Sequence, residues 1–182
     1  FQDSKFQEAL SKINTIKEKV SRPFEKVVFV EGACYFNLND FPKAITALEL
    51  YVTTFPEGES FNPVRMALGR AYLANKEPEK GIEVLRKVAA EAPEFMAEAG
   101  VVIAEHLRKT DKADEALQIL EKVLSGGVQN PAAIQAAMLS ADILVAKGEV
   151  EKASEMMEKV RGVASGGENV AQMNNISLKL GD

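Results

Sequence analysis

Cysteine and histidine are the side chains best suited to covalent catalysis or metal binding, and this sequence contains one of each. Cys34 is the single cysteine and His106 the single histidine. Together they could form a nucleophile and its base if the fold brought them within hydrogen-bonding distance. They are too few for a zinc site built from cysteine and histidine, and a lone cysteine cannot form an internal disulfide.

Glycine-rich segments and carboxylates give no stronger indication of catalysis. Segments 125–127 and 165–167 both read Ser-Gly-Gly but lack the lysine and hydroxyl residue of a phosphate-binding loop, so we interpret them as linkers after helices. The acidic residues are scattered along the sequence and are typical of surface pairing on helices. The sequence therefore predicts no catalytic residue, no cofactor and no metal ligand, and we expect a protein that is not an enzyme.

Composition restricts the class of partner. The 182 residues are 46% hydrophobic and 27% charged, which is typical of a globular domain. The net charge is −5 and there is no basic cluster, which argues against binding nucleic acid or an anionic lipid surface. No apolar run approaches the roughly 20 residues that span a bilayer, so we expect no direct membrane insertion of this segment. One free cysteine is compatible with the cytoplasm and with a bacterial periplasm or cell envelope.

Small residues recur with a period of 35–37 residues. One column, 37, 35 and 37 residues apart, is Ala44, Gly81, Ala116 and Ala153. A second column lies 12 residues earlier in each case, at Gly32, Gly69, Ala104 and Ala141. Two helices approach closely only where the side chains at their crossing are small, so the paired columns predict four helical hairpins.

Larger residues keep the same register. Three residues after the first small column stand Tyr35, Tyr72, Leu107 and Leu144, and four residues after the second stand Leu48, Leu85, Leu120 and Met157. The spacing predicts first helices near 24–38, 62–75, 95–109 and 132–147. It predicts second helices near 42–54, 78–91, 113–125 and 150–163. No segment alternates in the manner of a strand, so we expect no sheet.

This pattern resembles the tetratricopeptide repeat family. Leu68-Gly69, Tyr72 and Pro93 match the family's marks most fully. The large aromatic residue that the family carries early in the first helix is replaced by Val28, Arg65, Gly100 and Ala137. The resemblance implies an all-α, right-handed superhelical solenoid of antiparallel hairpins. It places one domain over 1–182, with repeats about 25–58, 62–95, 97–130 and 134–167.

Both ends of the sequence continue the repeat. Ala9 lies 35 residues before Ala44, so residues 1–21 are expected to form the second helix of a preceding repeat, or a cap. Leu180-Gly181 is similar to the first-helix pair, so 168–182 is expected to start a following repeat or a capping helix. We therefore expect a fragment of a longer array. Residues 51–56 resemble tetratricopeptide units of bacterial cell-envelope assembly and division proteins, which implies a bacterial origin.

The resemblance also implies a groove lined by the first helices, in which the chain binds a peptide or helix of a partner protein. The positions that line it are Phe29, Phe36, Asn37, Met66, Arg70, Leu73, Glu98, Val101, Glu105, Arg108, Met138 and Asp142. Exposed apolar side chains beside charges are typical of an interaction site. A second interpretation of Phe29, Phe36 and Met66 is that they pack on a neighbouring helix.

Two further functions stay open at this point. The chain could be a regulatory or assembly segment of a larger multidomain protein, or a self-association module. A third function, a catalytic domain, would need Cys34 and His106 in contact, but both residues take the same repeat position, two after a small residue. Stacked helices lie about 8–10 Å apart, so four helix layers between them exclude a catalytic pair. We expect both residues to be structural.

Overall fold

The computed structural model describes residues 2–126 and 131–164, and gives side-chain burial for residues 3–126 and 131–158. These residues form α-helices joined by turns, and no β-strand occurs among them. The helices are α1 (Gln2–Lys17), α2 (Glu25–Asn37), α3 (Phe41–Thr54), α4 (Phe61–Ala74), α5 (Pro78–Glu91), α6 (Met96–Lys109), α7 (Ala113–Ser125), α8 (Pro131–Ala146) and α9 (Val150–Ala164). The predicted all-α class is confirmed.

The chain divides into two compact units, Phe1–Phe95 and Met96–Asp182. In unit 1, α2 pairs with α3 and α4 with α5, while α1 packs on α2 and α3 packs on α4. A short 3-10 turn, Pro93–Phe95, follows α5. In unit 2, α6 pairs with α7 and α8 with α9, and α8 also contacts both α6 and α7. Each pair is a hairpin because its connection is too short for anything but chain reversal.

The small residues lie where paired helices cross. In the α4–α5 hairpin, a Cβ atom on Gly69 would lie 2.6 Å from Leu85 Cγ, and one on Gly81 would lie 2.9 Å from the Gly69 carbonyl oxygen. Neither distance is sterically possible without a shift of the helices. The alanines in the same columns are 0–5% exposed: Ala44, Ala104, Ala116, Ala141 and Ala153. Helix approach at these columns is the physical reason for the repeat.

A left-handed residue joins the two helices of each hairpin. The residues and their φ angles are Asn39 (59°), Lys76 (63°), Asp111 (59°) and Gly148 (79°). The next N–H after each one turns back to the first helix, as in the 2.9 Å bond from Asp40 N–H to the Tyr35 carbonyl. This is the Schellman arrangement that satisfies the last carbonyls of a helix. The residue types partly conceal this column, since Gly148 and Asn39 are usual left-handed residues but Lys76 is not.

Tyr51 holds three segments of unit 1 together. Its side chain is 0% exposed, and its hydroxyl donates to the Glu25 carboxylate at the start of α2. The same hydroxyl accepts from the Ser60 N–H at 3.2 Å, which ties down the turn before α4. A Cβ atom on Gly58 would lie 2.6 Å from this oxygen, so the turn needs glycine there. Burial and the Glu25 carboxylate raise the pKa of Tyr51.

The hairpin of α4 and α5 contains a buried cation. Arg65 is 8% exposed in a column where α2 carries Val28. Its guanidinium lies 2.7 Å from Glu91 Oε2 at the end of α5 and 5.2 Å from the centre of the Phe61 ring. A buried charge is tolerated only when it is paired, and Glu91 provides the partner. The ion pair also links the first half of α4 to the end of α5.

The ends of the sequence fit their predictions to different extents. Helix α1 covers Gln2–Lys17 of the segment 1–21 that was expected to be the second helix of a preceding repeat or a cap. Pro23 cannot continue a helix and α2 begins at Glu25, so residues 18–24 serve the chain reversal. The expectations for 165–167 and for 168–182 concern residues outside those that the structure describes.

Candidate partner-binding surfaces

The predicted groove residues of unit 1 lie on α2 and α4, which contact each other. We call the accessible ones the first-helix surface of unit 1: Phe29, Phe36, Asn37, Arg70 and Leu73. Asn37 and Arg70 are exposed, and the three apolar side chains are half-buried. Asn37 Nδ2 donates to the Ala33 carbonyl at 2.8 Å, which fixes the amide along the helix. The surface is therefore apolar with a polar margin.

The two phenylalanines of this surface also support the core. The Phe29 ring meets the Tyr51 ring edge-on, with centroids 6.5 Å apart, and Phe36 meets Phe41 in the same way at 5.7 Å. Both rings thus pack on α3, as the second interpretation of these residues expects, and each keeps part of its surface accessible. Leu73 packs beside Gly81, where a Cβ atom would lie 2.8 Å from Leu73 Cγ.

Two predicted groove residues are core residues. Met66 is 4% exposed and Val101 is 5% exposed. Side chains with so little accessible surface cannot contact a partner without rearrangement of the core. For Met66 this agrees with the second interpretation, in which the side chain packs on a neighbouring helix. Register identifies the helix face but not the depth, which explains the assignment of both residues to the surface.

The predicted residues of unit 2 lie on α6 and α8, which also contact each other. The first-helix surface of unit 2 comprises Glu98, Glu105, Arg108, Met138 and Asp142. Glu105, Arg108 and Asp142 are exposed, and Glu98 is half-buried. Met138 is half-buried against Ile134 and Ala137. This surface is thus dominated by charges of both signs, unlike the apolar surface of unit 1.

The cysteine and the histidine occupy structural positions. Cys34 is 4% exposed and packs with Leu10 and Ile13 of α1. Burial raises the pKa of the Cys34 thiol, which disfavours the thiolate. His106 is half-buried on α6, next to Leu107. The same repeat position holds Ala71 and Ile143, which are both buried.

One accessible apolar residue of α2 escaped the sequence prediction. Val30 is 40% exposed, although its repeat equivalent Ala67 is packed against the core of unit 1. The available signal was that one repeat position holds a valine in α2 and an alanine in α4. That difference alone does not tell which of the two side chains is accessible. Elsewhere in the described ranges, no three His, Cys, Asp or Glu residues are grouped so that they could hold a metal ion. Among the described helices, none combines the length and apolarity required to cross a membrane.

Antiparallel helix pairs with small residues at each crossing are typical of α-helical repeat proteins, and this chain has that geometry. Residues 31–58 match the family model of the tetratricopeptide repeat. This match covers the second half of α2, all of α3 and the turn after it, so that segment is a tetratricopeptide repeat within a chain of tetratricopeptide-like fold. No curated protein sequence matches it.

Solved structures show the same fold at low sequence identity. The nearly identical TPR-like repeats of a Podosopora anserina protein described as a kinesin light chain are 21% identical, with a TM-score of 0.69 over 92% of this chain and 90% of that chain. MamA from Desulfovibrio magneticus RS-1 is 17% identical, with a TM-score of 0.66 over 91% and 94%. The C-terminal part of a TPR repeat-containing protein from Cytophaga hutchinsonii is 14% identical, with a TM-score of 0.75 over 90% and 61%. These similarities establish the fold alone.

The fold carries a general functional meaning. Tetratricopeptide repeats are protein–protein interaction scaffolds and are generally not enzymes. The fold of this chain therefore supports a protein partner, in line with the sequence prediction.

Proposed function

We propose that this chain is a protein–protein interaction scaffold that holds a peptide or helix of its partner against the first-helix surfaces. The observation that carries the proposal is the first-helix surface of unit 1. Three half-buried apolar side chains, Phe29, Phe36 and Leu73, lie beside the exposed polar groups of Asn37 and Arg70. Apolar anchors with a polar rim are the usual composition of a partner-binding surface.

The first-helix surface of unit 2 would contribute orientation more than affinity. Glu105, Arg108 and Asp142 are exposed, and exposed charges contribute little to affinity but much to the choice and orientation of a partner. The surface of unit 1 would thus anchor a partner segment, and the surface of unit 2 would select among partners by charge. This mode corresponds to a helix or extended segment in a groove.

The experiment compares two exposed arginines of unit 1. The intact chain captures its partner from an extract of the source organism, mass spectrometry identifies the partner, and calorimetry with the purified pair gives the Kd. Arg70→Glu is expected to weaken the complex at least tenfold, and the addition of Asn37→Lys is expected to weaken it further. The matched control is Arg86→Glu, which changes an exposed arginine on α5, outside the first helices.

Circular dichroism of each variant confirms that the helices remain folded. Equal affinity of the two variants for the partner would contradict the proposal. Concentration-dependent light scattering tests the self-association alternative. A dimer that Arg70→Glu and Asn37→Lys disrupt, with no heterologous partner captured, would replace the scaffold function by self-association.

We infer further that catalysis is not the role of this chain. Cys34 is the one thiol in the sequence, and its burial against α1 leaves it neither accessible nor deprotonated at neutral pH. Incubation of the native protein with a small thiol reagent is expected to give slow labelling. Rapid labelling of the folded chain would reopen the question of a reactive cysteine.

A further inference from the structure

A cavity opens within unit 2, between α7 and the hairpin of α8 and α9. Its volume is about 420 Å³, which is in the usual range of small-molecule sites. Buried Ser140 and Leu144 of α8 form its floor. Half-buried apolar side chains and exposed charged ones from α7 and α9 surround the floor: Leu117, Met156, Glu121 and Lys152. The cavity thus lies between neighbouring helices of unit 2 and is apolar inside and charged at its rim.

The repeat register matches this cavity to a packed place in unit 1. Each of the lining residues has an equivalent two repeats, or 72 residues, earlier in the sequence. The equivalents of the six residues named above are Ile45, Glu49, Leu68, Tyr72, Lys80 and Val84. The four that are not charged belong to the core cluster of unit 1. Unit 1 therefore shows what fills this place when no cavity is left.

The ring of Tyr72 occupies the equivalent place in unit 1. The side chain is 6% exposed and packs in one cluster with Leu68. Its hydroxyl donates to the Glu49 carboxylate of the preceding helix. Lys80 Nζ lies 5.3 Å from the ring centre, within the range of a cation–π contact. A phenol ring in this place thus has one polar partner at its hydroxyl and one cation at its face.

Two changes of residue type open the same place in unit 2. Leu144 stands where unit 1 has Tyr72, and Ser140 stands where it has Leu68. Both are smaller than their equivalents. The Ser140 hydroxyl donates to the Ala136 carbonyl at 2.8 Å, so this floor residue is satisfied inside its own helix. All three tyrosines of the sequence lie in unit 1, so unit 2 has no tyrosine of its own for this space.

A lysine takes the same position at the start of the second helix in three hairpins. Each lysine pairs with the acidic residue three positions before it, at 2.6 Å, and the pairs are Lys43–Asp40, Lys80–Glu77 and Lys152–Glu149. In the first two hairpins a tyrosine ring lies beside the lysine, with Nζ 5.4 Å from the centre of Tyr35 and 5.3 Å from that of Tyr72. Lys152 is held in the same way, but Leu144 provides no ring. The ring is the component that unit 2 lacks.

The other polar component is present in unit 2. Glu121 is the equivalent of Glu49, and its side chain is exposed at the rim of the cavity. Within the described part of the chain, Glu121 has no hydrogen bond or ion pair, so its carboxylate is available to a donor. Glu155 adds a second carboxylate to the rim. Two carboxylates beside one lysine favour a neutral hydroxyl donor over an anionic ligand.

We propose that this cavity of unit 2 binds a phenol ring, with the ring beside Lys152 and the hydroxyl on Glu121. The arrangement repeats that of Tyr72 between Lys80 and Glu49. A small phenol and the tyrosine side chain of a partner present the same ring, and the experiment distinguishes these two sources. The cavity contains no residue of either first-helix surface, so the inference does not depend on the proposed function.

The probes are p-cresol, toluene and N-acetyltyrosinamide. Heteronuclear NMR of the intact, isotope-labelled chain follows the amide signals of α7, α8 and α9 during titration and gives each Kd. p-Cresol is expected to bind at least threefold more tightly than toluene, because it alone donates a hydrogen bond to Glu121. Binding of p-cresol and N-acetyltyrosinamide would support a tyrosine side chain as the source of the ring. Binding of p-cresol alone would support a small phenol.

Variants that refill the cavity should abolish binding. Leu144→Tyr and Ser140→Leu each restore the residue type of unit 1, and each is expected to weaken p-cresol at least tenfold. Leu144→Tyr should also raise the Tm, because its hydroxyl would reach Glu121 as that of Tyr72 reaches Glu49. Circular dichroism checks that both variants are folded, and Ser140→Leu keeps the test valid if Leu144→Tyr disturbs the hairpin.

Variants at the rim test the two polar contacts. Glu121→Gln is expected to remove most of the preference for p-cresol over toluene. Its matched control is Glu115→Gln, which changes an exposed carboxylate of α7 outside the cavity and should keep the preference. Lys152→Gln should weaken both ligands at least twofold. Lys122→Gln, at another exposed lysine outside the cavity, should weaken neither.

Three results would overturn the proposal. None of the probes could shift the amide signals of α7, α8 and α9 at millimolar concentration, which would make the cavity a packing defect. p-Cresol could bind Leu144→Tyr and Ser140→Leu as tightly as the wild type, which would place its site elsewhere. Toluene could bind as tightly as p-cresol, which would leave an apolar cavity without a role for the hydroxyl.

Discussion

The two units build the same hairpin from different side chains. At the crossings, the first helices of unit 1 carry Gly32 and Gly69, whereas those of unit 2 carry Ala104 and Ala141. Three residues later, unit 1 has tyrosine and unit 2 has leucine. Tyr72 of unit 1 donates its hydroxyl to the Glu49 carboxylate and has Lys80 Nζ 5.3 Å from its ring centre. Its counterpart Leu107 is simply buried, at 3% exposed.

The difference shows that the repeat register fixes where a side chain is, but not which interaction it makes. Unit 1 uses close glycine contacts and directional hydrogen bonds, which fail abruptly when one atom is added or removed. In the same columns unit 2 uses alanine and leucine, whose packing depends on volume and tolerates conservative change. The close glycine contact of unit 2 lies outside these columns, where a Cβ atom on Gly100 would be 2.5 Å from Val123 Cγ2. Substitutions in equivalent columns should therefore have unequal effects.

The largest effect is expected from Gly81→Ala in unit 1. The new methyl group would meet the Gly69 carbonyl oxygen at 2.9 Å and Leu73 Cγ at 2.8 Å, and the backbone cannot yield cheaply. Overpacking of this kind costs about 1–3 kcal/mol. Urea unfolding measures the loss. Gly126→Ala in unit 2 is the control, because its nearest contacts are at 3.4 Å, and a loss as large as that of Gly81→Ala would contradict the steric argument.

Tyr51→Phe is expected to have the next largest effect. The substitution keeps the ring but leaves the Glu25 carboxylate and the Ser60 N–H without their shared partner. Loss of a buried hydrogen-bonding group costs about 1–3 kcal/mol. Thermal unfolding compares the loss of Tm with that of Tyr35→Phe. The Tyr35 ring is half-buried, and Lys43 Nζ lies 5.4 Å from its centre. Equal Tm changes for the two substitutions would show that the hydroxyl of Tyr51 contributes nothing.

Alkaline pH should destabilise unit 1 through its tyrosines. All three tyrosines lie in unit 1, and burial together with the Glu49 carboxylate raises the pKa of Tyr72. Above pH 10 the unfolded chain loses phenolic protons that the folded chain retains, so the free energy of unfolding falls as pH rises. The slope approaches about 1.4 kcal/mol per pH unit for each such tyrosine. Urea unfolding from pH 9 to pH 11 should show a smaller slope for Tyr72→Phe, and an unchanged slope would exclude this residue as the cause.

The smallest effects are expected in the left-handed column, where the two units should respond in opposite directions. Lys76→Gly in unit 1 relieves a side chain at φ 63° and should raise the free energy of unfolding by about 1 kcal/mol. Gly148→Ala in unit 2 imposes a side chain at φ 79° and should lower it by about the same amount. Denaturant midpoints measure both, and changes of the same sign would contradict the conformational explanation.

The hairpins could be predicted because helix crossing demands small residues at fixed intervals. Ala44 and Gly81 carry that information in their type and spacing alone. The left-handed column could not be predicted in the same way, since Lys76 and Asp111 are ordinary surface residues elsewhere. Their conformation is imposed by the chain reversal between two packed helices, which is a property of the hairpin and not of the residue.

The candidate surfaces were predictable as faces but not in depth. In unit 1, register assigns exposed Asn37 and buried Met66 to the same surface. Burial depends on the neighbouring helix, which the sequence of one helix does not contain. The contact of Tyr51 with Glu25 and Ser60 was hidden for the same reason, because the three residues come from separate segments.

The place of Cys34 has a practical consequence for the study of this chain. Cys34 is buried in one cluster with Leu10 and Ile13 of α1, so we expect a labelling reagent to reach the thiol only when α1 moves away from α2. Its rate of modification therefore counts the openings of that helix and converts into a local opening free energy. A ligand bound to α1 would slow this reaction. The modification rate of the native Cys34 would therefore report binding to α1 without any engineered label.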